Sequence, residues 1–230
     1  MIFQLNADPA QIPDPALAEA DGLLAVGGDL SPSRLLHAYQ NGIFPWYGDD
    51  TPILWYAPHE RFVLDPKNIR ISKSMRQTLR SDRFRWTYNQ AFSAVIDCCA
   101  KATRKDQDGT WIGTDMRNAY IQLHELGFAH SIEVWNTENE LVGGLYGVLI
   151  GQVFSGESMF SLVSNSSKYA LIQLAKHANL KLIDCQVHSE HLESLGANMI
   201  SQDSYMQLLD QQEYTKNGLD LLIPGPQNNK

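Results

Sequence analysis

The segment ELVGGLYGVLIGQVFSGESMF, residues 140–160, decides how this chain folds. Its apolar and β-branched residues predict two adjacent strands joined by a tight turn at residues 150–152. Five of its residues are glycine, and glycine within a strand typically marks a bulge or the close approach of another backbone or a ligand. After the second strand the segment presents a carboxylate, Glu157, in an expected polar loop. That carboxylate either supports the structure through hydrogen bonds or faces a substrate.

The pattern around this segment is helix, strand, strand, strand, helix, strand, helix. We predict helices at 115–126, 164–178 and 189–195, and strands at 129–135 and 181–187. This order indicates an α/β (α+β) fold whose larger domain is acetyltransferase-like (GNAT-like), with a mixed, mostly antiparallel sheet. A small N-terminal domain is expected at residues 1–64 and the larger domain at 65–230. Within them, the Pro- and Ala-rich residues 1–20 predict an extended arm, and residues 198–230 predict a frayed polar tail.

The composition is that of a globular protein, with 43% hydrophobic residues and a net charge of −8 over 230 residues. No apolar run approaches the roughly 18–20 residues that span a bilayer. The first residues lack the basic start and apolar core of a signal peptide. Three cysteines make a poor disulfide framework and lack metal-ligand spacing. We therefore expect a cytoplasmic monomer without a bound metal.

Positive charge is concentrated in residues 67–85, although the chain as a whole is acidic. Seven of the 18 lysines and arginines lie there, and Asp82 is the only acidic residue among them. A local basic face on an acidic protein suits a polyanion held at one place. The alternative is an ordinary solvated helix face. The basic residues are Lys67, Arg70, Lys73, Arg76, Arg80, Arg83 and Arg85.

A second set of polar residues lies on the predicted strand at 181–187. Asp184 and Gln186 are two residues apart, so they point to the same face of a regular strand. If this strand pairs with the one that leads to Glu157, the three side chains converge. Two carboxylates and an amide can hold an amine and orient it for attack on an ester carbonyl. Alternatively, they are satisfied polar groups that tie loops together.

Other candidate nucleophiles and ligands carry weaker signals. His188 and His191 lack a third metal ligand or a partner nucleophile, which favours surface roles. Asp184 beside Cys185 raises the pKa of a thiol and so argues against a thiolate nucleophile. The segment SLVSNSSKYAL, residues 161–171, lacks the glycines of a pyrophosphate loop, which disfavours an acyl-CoA donor.

At this point the residues resemble the leucyl/phenylalanyl-tRNA–protein transferase family. The motifs GGDLSP, GIFPW, GESMF and LIDCQ are specific, and the similar segments occur in the family's order over most of residues 22–197. These segments are GLLAVGGDLSPSRLLHAYQNGIFPW (22–46), PILWYAP (52–58), GTWI (109–112), AYIQLHELGFAHSIEVW (119–135), ELVGGLYGV (140–148), FSGESMFS (154–161), SKYAL (167–171), KLIDCQV (181–187) and HLESLGA (191–197).

The resemblance implies transfer of Leu or Phe, with Met as a further candidate donor, from aminoacyl-tRNA to the N-terminal amine of proteins that begin with Arg or Lys. Such transfer marks the acceptor for degradation by the N-end rule. The resemblance also implies that no cofactor is needed, because an aminoacyl ester is already activated. By its match to the family, Trp46 and Trp111 lie near the 3′-terminal adenosine, and Leu145 and Phe154 line an apolar pocket for the donor side chain.

The resemblance also assigns the reaction centre. Tyr120 and Ser158 match positions in its catalytic and substrate-binding segments. Glu157 and Gln186 correspond to the groups that hold the attacking amine, with Asp184 supporting Gln186. Both general-base catalysis by the protein and substrate-assisted transfer remain open.

The basic segment then suits the phosphates of the tRNA acceptor arm, which would give salt-dependent binding with little reading of sequence. Two other functions remain open: an N-acyltransferase that uses acyl-CoA, and a noncatalytic tRNA-binding module. The residues that we assign to tRNA binding are Lys73, Arg76, Arg80 and Arg83.

Overall fold

A computed structural model describes residues 1–48, 51–102, 112–210, 212 and 216–223. The strands are β1 (Phe3–Leu5), β2 (Leu23–Gly27), β3 (Phe44–Pro45), β4 (Leu54–Tyr56), β5 (Glu60–Leu64), β6 (Arg85–Tyr88), β7 (Ala129–Trp135), β8 (Leu141–Ile150), β9 (Val153–Ser161), β10 (Leu182–Gln186) and β11 (Asn198–Ser201). The α-helices are α1 (Pro32–Gln40), α2 (Lys73–Arg80), α3 (Phe92–Lys101), α4 (Thr114–Glu125), α5 (Ser166–His177), α6 (Glu190–Glu193), α7 (Gln202–Leu209) and α8 (Gly218–Leu222).

The strands form two sheets. The smaller has the order β1-β2-β4-β3, and the larger has the order β11-β5-β10-β9-β8-β7-β6. Neighbours in the larger sheet are antiparallel except for β9 and β10, which are parallel. This parallel pair is joined through α5, since parallel neighbours need a crossover connection. The predicted α/β class and the mixed, mostly antiparallel sheet are confirmed, whereas the acetyltransferase-like assignment stays a prediction.

The larger sheet is covered on both faces, and β8 shows this most clearly. Leu145 and Leu149 belong to the apolar cluster that includes α5. Tyr146 and Val148 belong to the cluster that includes α3, α4 and the smaller sheet. Burial on both faces explains why residues 140–154 are almost continuously apolar instead of alternating with polar residues.

The chain passes from the smaller sheet to the larger one between Tyr56 and Glu60. β5, which we placed in the N-terminal domain from the sequence, pairs with β10 and β11. The change from one sheet to the other thus occurs before residue 60. The division into domains at residues 1–64 and 65–230 stays a prediction. β5 joins the larger sheet because it is buried from Arg61 to Leu64, and a buried strand needs hydrogen-bonded strands on both of its edges.

Residues 3–5 and 198–209 are more structured than the sequence predicted. Residues 3–5 are not part of a free arm, because β1 pairs in parallel with β2. Residues 198–209 do not fray, because β11 pairs with β5 and α7 buries Tyr205 and Leu209. These segments are short, so their order depends on tertiary contacts. No helix in the described ranges is long and apolar enough to cross a membrane.

Candidate active site

Glu157 lies within β9 and not in a loop, which corrects the expectation from the sequence. Gly156 pairs with Gly147 of β8, and Ser158 pairs with Tyr146. Glu157 is therefore the extra residue of a β-bulge, which locally redirects a side chain from the regular alternation. It is only 7% exposed. The strand thus carries a carboxylate into the interior instead of ending before it.

A second bulge occurs on the neighbouring strand. Asp184 and Gln186 of β10 face consecutive residues of β5, so that Cys185 is extra. Gln186 takes a φ of 65°, which is uncommon for a residue with a side chain. Its Nε2 donates to Oε1 of Glu157 at 2.7 Å. The predicted pairing of the two strands and the approach of Gln186 to Glu157 are confirmed, although two bulges and not simple alternation produce them.

The other oxygen of Glu157 faces two tyrosines. The hydroxyl of Tyr120 donates to Oε2 at 2.8 Å, and the hydroxyls of Tyr39 and Tyr120 are hydrogen bonded to each other. Burial raises the pKa of Glu157 to about 7, because it outweighs hydrogen bonds from Tyr39, Tyr120 and Gln186 that lower it. A carboxyl group with this pKa exchanges a proton near neutral pH, which suits a general base.

Asp184 is fully buried, and both of its oxygens accept hydrogen bonds. Arg61 grips it with two of its donors: Nε lies 2.9 Å from Oδ1 and Nη2 lies 2.7 Å from Oδ2. The hydroxyl of Tyr205 donates to Oδ2 at 2.8 Å, and that of Ser155 at 3.3 Å. The backbone N–H of Gln186 donates to Oδ1 at 2.8 Å. Asp184 therefore supports Gln186 through its backbone, and it does not contact Glu157 through any of these bonds.

Glu157, Asp184 and Gln186 border a cavity of about 550 Å³. Its apolar side includes Leu145, Phe154 and Phe160, and Trp46 lines it from the segment that follows β3. The ring of Trp46 packs against Tyr56 with 5.6 Å between centroids. A cavity of this size holds a small ligand with an apolar part. The polar residues of the lining include Glu157, Ser158, Asp184 and Gln186.

Two other aromatic residues that we predicted to bind substrate are Tyr120 and Trp111. Tyr120 is completely buried and does not line the cavity, but it bonds to Glu157, which does, so its assignment to substrate binding stays a prediction. Trp111 lies outside the described residues, so its assignment stays a prediction.

The glycines of β8 make room for the protein and not for a ligand. A Cβ on Gly147 would lie 2.2 Å from the carbonyl oxygen of Ser155 and 2.7 Å from the Phe154 ring. Among the glycines of residues 140–160, Gly156 is the one that lines the cavity. A Cβ there would meet only the carbonyl oxygen of Asp184, at 3.6 Å.

Comparison with known proteins decides the family. The family model described as leucyl/phenylalanyl-tRNA protein transferase matches residues 63–210, and that of its N-terminal domain matches residues 28–59. The chain belongs to the leucyl/phenylalanyl-tRNA protein transferase family. The resemblance seen in the sequence is thereby confirmed.

Two curated relatives carry the name leucyl/phenylalanyl-tRNA–protein transferase. The protein from Syntrophus aciditrophicus is 55% identical over 200 residues, which cover 86% of this chain and 83% of that one. The protein from Methylococcus capsulatus is 50% identical over 211 residues, which cover 90% and 88%. A solved structure of a functionally unknown conserved protein from Staphylococcus epidermidis aligns with a TM-score of 0.43 and 9% identity over 78% of this chain and 68% of that chain.

The basic residues that we assigned to tRNA form an exposed face outside the cavity. Lys73, Arg76 and Arg80 are exposed on α2, and Arg83 follows it. Helix α2 packs on α5, and α5 lines the cavity with Ser167 and Leu171. The face is therefore one helix away from the cavity, an arrangement compatible with a ligand that has an anionic part and an apolar end.

The structure agrees with the sequence for Cys185 and His188, whereas His191, which we expected to have a surface role, borders the cavity. Burial, with Asp184 beside it, raises the pKa of the Cys185 thiol, which opposes thiolate formation. His188 is exposed and pairs with Glu193. His191 lines the cavity, and burial lowers its pKa.

Three residues of this site were not predicted from the sequence: Tyr39, Arg61 and Tyr205. Arg61 begins the segment RFVLDP, residues 61–66, where the only available signal was a charge at the start of an apolar run. Tyr39 is a buried residue of α1, and Tyr205 lies in the segment expected to fray. Their partners are distant in the sequence, so no local pattern reveals them.

Proposed function

We propose that this protein transfers Leu or Phe, with Met as a further donor, from aminoacyl-tRNA to the N-terminal amine of proteins that begin with Arg or Lys. The observation that carries this proposal is the hydrogen-bonded pair of Glu157 and Gln186 beside an apolar cavity, in a chain of this family. The relatives' names support the donor and the acceptor class. Acceptors marked in this way would enter degradation by the N-end rule, in the cytoplasm where aminoacyl-tRNA is made.

In the proposed reaction, the acceptor amine attacks the ester carbonyl that joins the amino acid to the ribose. A C–N bond forms, and the C–O bond to the ribose breaks. The amine loses a proton and the departing ribose oxygen gains one, so the overall reaction needs no oxidant, metal or nucleotide. Glu157 receives the proton of the amine, since its pKa of about 7 lets it be ionised at neutral pH.

Gln186 orients the reacting groups in this proposal. Its amide holds Glu157 through Nε2, and its carbonyl oxygen can accept a hydrogen bond from the incoming amine. Fixing amine and ester next to each other removes much of the entropic barrier of a bimolecular reaction. Asp184 and Tyr120 support the two groups from behind, through the backbone of Gln186 and through Oε2 of Glu157.

The apolar side of the cavity would select the donor. Leu145 and Phe154 offer no hydrogen bond from their side chains, so a polar amino acid would lose its hydration, at a cost of about 1–3 kcal/mol for each unpaired group. Discrimination among apolar donors would be weaker, because one methylene is worth about 1–3 kcal/mol. Trp46, which lines the cavity, would stack on the terminal adenine, with Ser158 as a further polar contact.

The test is transfer of labelled Leu or Phe from charged tRNA to synthetic peptides. Peptides that begin with Arg or Lys should be labelled at the N-terminus. Peptides that begin with Ala, or with acetylated Arg, are matched controls that lack the basic side chain or the free amine. Binding of charged tRNA without transfer to any free N-terminus would leave only a tRNA-binding module, whereas labelling from an acyl-CoA donor would support the alternative acyltransferase.

A further inference from the structure

Arg61 is a buried arginine that contacts two different walls of the cavity. Its side chain is about 2% exposed. Nε and Nη2 hold the two oxygens of Asp184 on the wall formed by β10. Nη1 donates to the carbonyl oxygen of Gly42 at 3.0 Å, at the start of the segment that leads to Trp46. One guanidinium therefore joins the wall that carries Gln186 to the wall that carries the tryptophan.

Aromatic rings fix the plane of this guanidinium. Its central carbon lies 4.6 Å from the centroid of the Phe44 ring and 4.7 Å from that of the Tyr205 ring. Tyr205 also donates its hydroxyl to Asp184. A planar fork held in this way defines distance and direction, which the flexible ammonium of a lysine would not do.

The carboxylate that Arg61 holds has no spare capacity for a substrate. Asp184 accepts five hydrogen bonds, from two nitrogens of Arg61, from Tyr205, from Ser155 and from the N–H of Gln186. An ionised carboxylate offers about four lone-pair directions. Asp184 is therefore occupied within the protein, and its effect on the reaction passes through Gln186, whose φ of 65° needs support from its surroundings.

We propose that Arg61 is a positioning residue for aminoacyl transfer, with Tyr205 as its support: together they hold Asp184 and the segment 42–46 so that the Gln186–Glu157 pair and the donor-binding wall keep a fixed separation. This inference rests on the proposed function. It assigns a role to two residues outside the reacting centre, because neither of them lines the cavity.

The experiment compares Arg61→Lys and Tyr205→Phe with wild type by transfer kinetics under saturating donor, and by equilibrium binding of a stable 3′-amide analogue of phenylalanyl-adenosine. The matched control is Arg34→Lys. Arg34 is equally buried, and it bonds to Asn6 and Asp29 instead of the cavity walls. All rates are referred to the folded fraction, measured by circular dichroism.

We expect kcat to fall about 30- to 100-fold in Arg61→Lys, in line with the cost of a misplacement of about 1 Å, and about 3- to 10-fold in Tyr205→Phe. Binding of the analogue should stay within threefold of wild type in both variants, and Arg34→Lys should keep kcat within threefold. If Arg61→Lys does not fold, Tyr205→Phe decides by itself, because it retains the ring and loses only the hydroxyl.

Unchanged kcat in the folded variants would overturn the proposal. So would an equal loss of kcat and analogue binding, or an equal loss of kcat in Arg34→Lys, since these would indicate a collapsed cavity or a general loss of stability. A wild-type protein that transfers nothing would instead refute the proposed function, so the two failures are distinguishable.

Discussion

At the scale of single residues, Glu157 lies in an environment that disfavours its charged form. A carboxylate that is 7% exposed has lost most of its hydration, and the hydrogen bonds from Tyr120 and Gln186 replace it only in part. Its pKa of about 7 expresses this deficit. The site therefore gives up stability for a group that can gain and lose a proton at neutral pH.

Glu157→Gln tests the cost of burying this carboxylate, through the dependence of the free energy of unfolding on pH. The folded protein holds a proton on Glu157 up to about pH 7, whereas the unfolded chain releases it near 4.5. Between these values the unfolded state binds fewer protons, so the wild type loses stability as pH rises, by roughly 3 kcal/mol in total. The variant lacks this loss. Urea titrations should show that the free energy of unfolding of the variant, relative to that of the wild type, is higher at pH 8 than at pH 5. The rate of transfer should fall about 100-fold or more. A difference in stability that does not change with pH would contradict this.

Tyr120→Phe should move the pH dependence of transfer. The phenol of Tyr120 donates to Glu157 and lowers its pKa, so its loss raises the pKa further. The rising limb of kcat/KM, which reports ionisation of the base, should shift to higher pH. Tyr169→Phe is a control, because the hydroxyl of Tyr169 bonds to the backbone of Phe84 and does not contact Glu157. Identical profiles for Tyr120→Phe and wild type would remove Glu157 as the base.

At the scale of elements, the site depends on two bulges in the neighbouring strands β9 and β10. Each bulge inserts one residue, Glu157 in one strand and Cys185 in the other, opposite a regular partner. The bulges redirect Glu157 and Gln186 towards each other, while the rest of each strand remains in the ladder and in the core. The regular part of the sheet thus fixes the positions of the strands, and the bulges bring the side chains of Glu157 and Gln186 together.

A pair of glycine substitutions distinguishes residues that serve the packing of the sheet from residues that border the cavity. Gly147→Ala places a methyl group 2.2 Å from the carbonyl oxygen of Ser155, so the protein should lose about 1–3 kcal/mol or more of its free energy of unfolding. In Gly156→Ala the nearest atom is 3.6 Å away, and stability should change by less than about 1 kcal/mol. Since Gly156 lines the cavity, its variant should lose donor binding instead. Urea denaturation and donor KM measure both, and equal destabilisation by the two changes would refute the packing argument.

At the scale of the whole molecule, an acidic chain has an exposed basic face beside an apolar cavity. The net charge of −8 disfavours diffuse binding of nucleic acid. The face formed by Lys73, Arg76, Arg80 and Arg83 would hold phosphates of the tRNA at one place. It would thereby direct the aminoacylated end of the tRNA towards the cavity.

Replacing Arg76 and Arg80 together by Gln should weaken tRNA binding with little change in kcat. Removing one ion pair with a phosphate lowers the steepness of log K against log salt by about 0.7–0.9, so the double variant should have a slope less steep by roughly 1.5. Lys181→Gln is a control, because Lys181 is exposed at the other end of β10 from Gln186. Filter binding at salt concentrations from about 50 to 200 mM measures the slopes, and an unchanged slope would indicate that the face does not bind tRNA.

Much of this architecture could be predicted from local sequence. The alternation and length of apolar runs identified β7, the β8–β9 hairpin, α4, α5 and β10, because burial imposes a period on each element separately. The same analysis put Asp184 and Gln186 on one predicted strand and Glu157 after another, and it left open whether the two strands pair. The predicted polar loop at Glu157 was wrong, since a bulge leaves a strand's composition unchanged.

Local sequence therefore indicated many of the elements, the family motifs and the polar residues Glu157, Asp184 and Gln186, whose convergence depended on the pairing of two strands. Only the tertiary structure decided which groups complete the site. Arg61 meets Asp184 across 123 positions of the chain, and Tyr39 meets Tyr120 across 81. Hydrophobic periodicity acts within one element, whereas the pairing of buried charges and hydroxyls depends on which elements pack together. A buried carboxylate needs donors, and the fold alone determines where they come from.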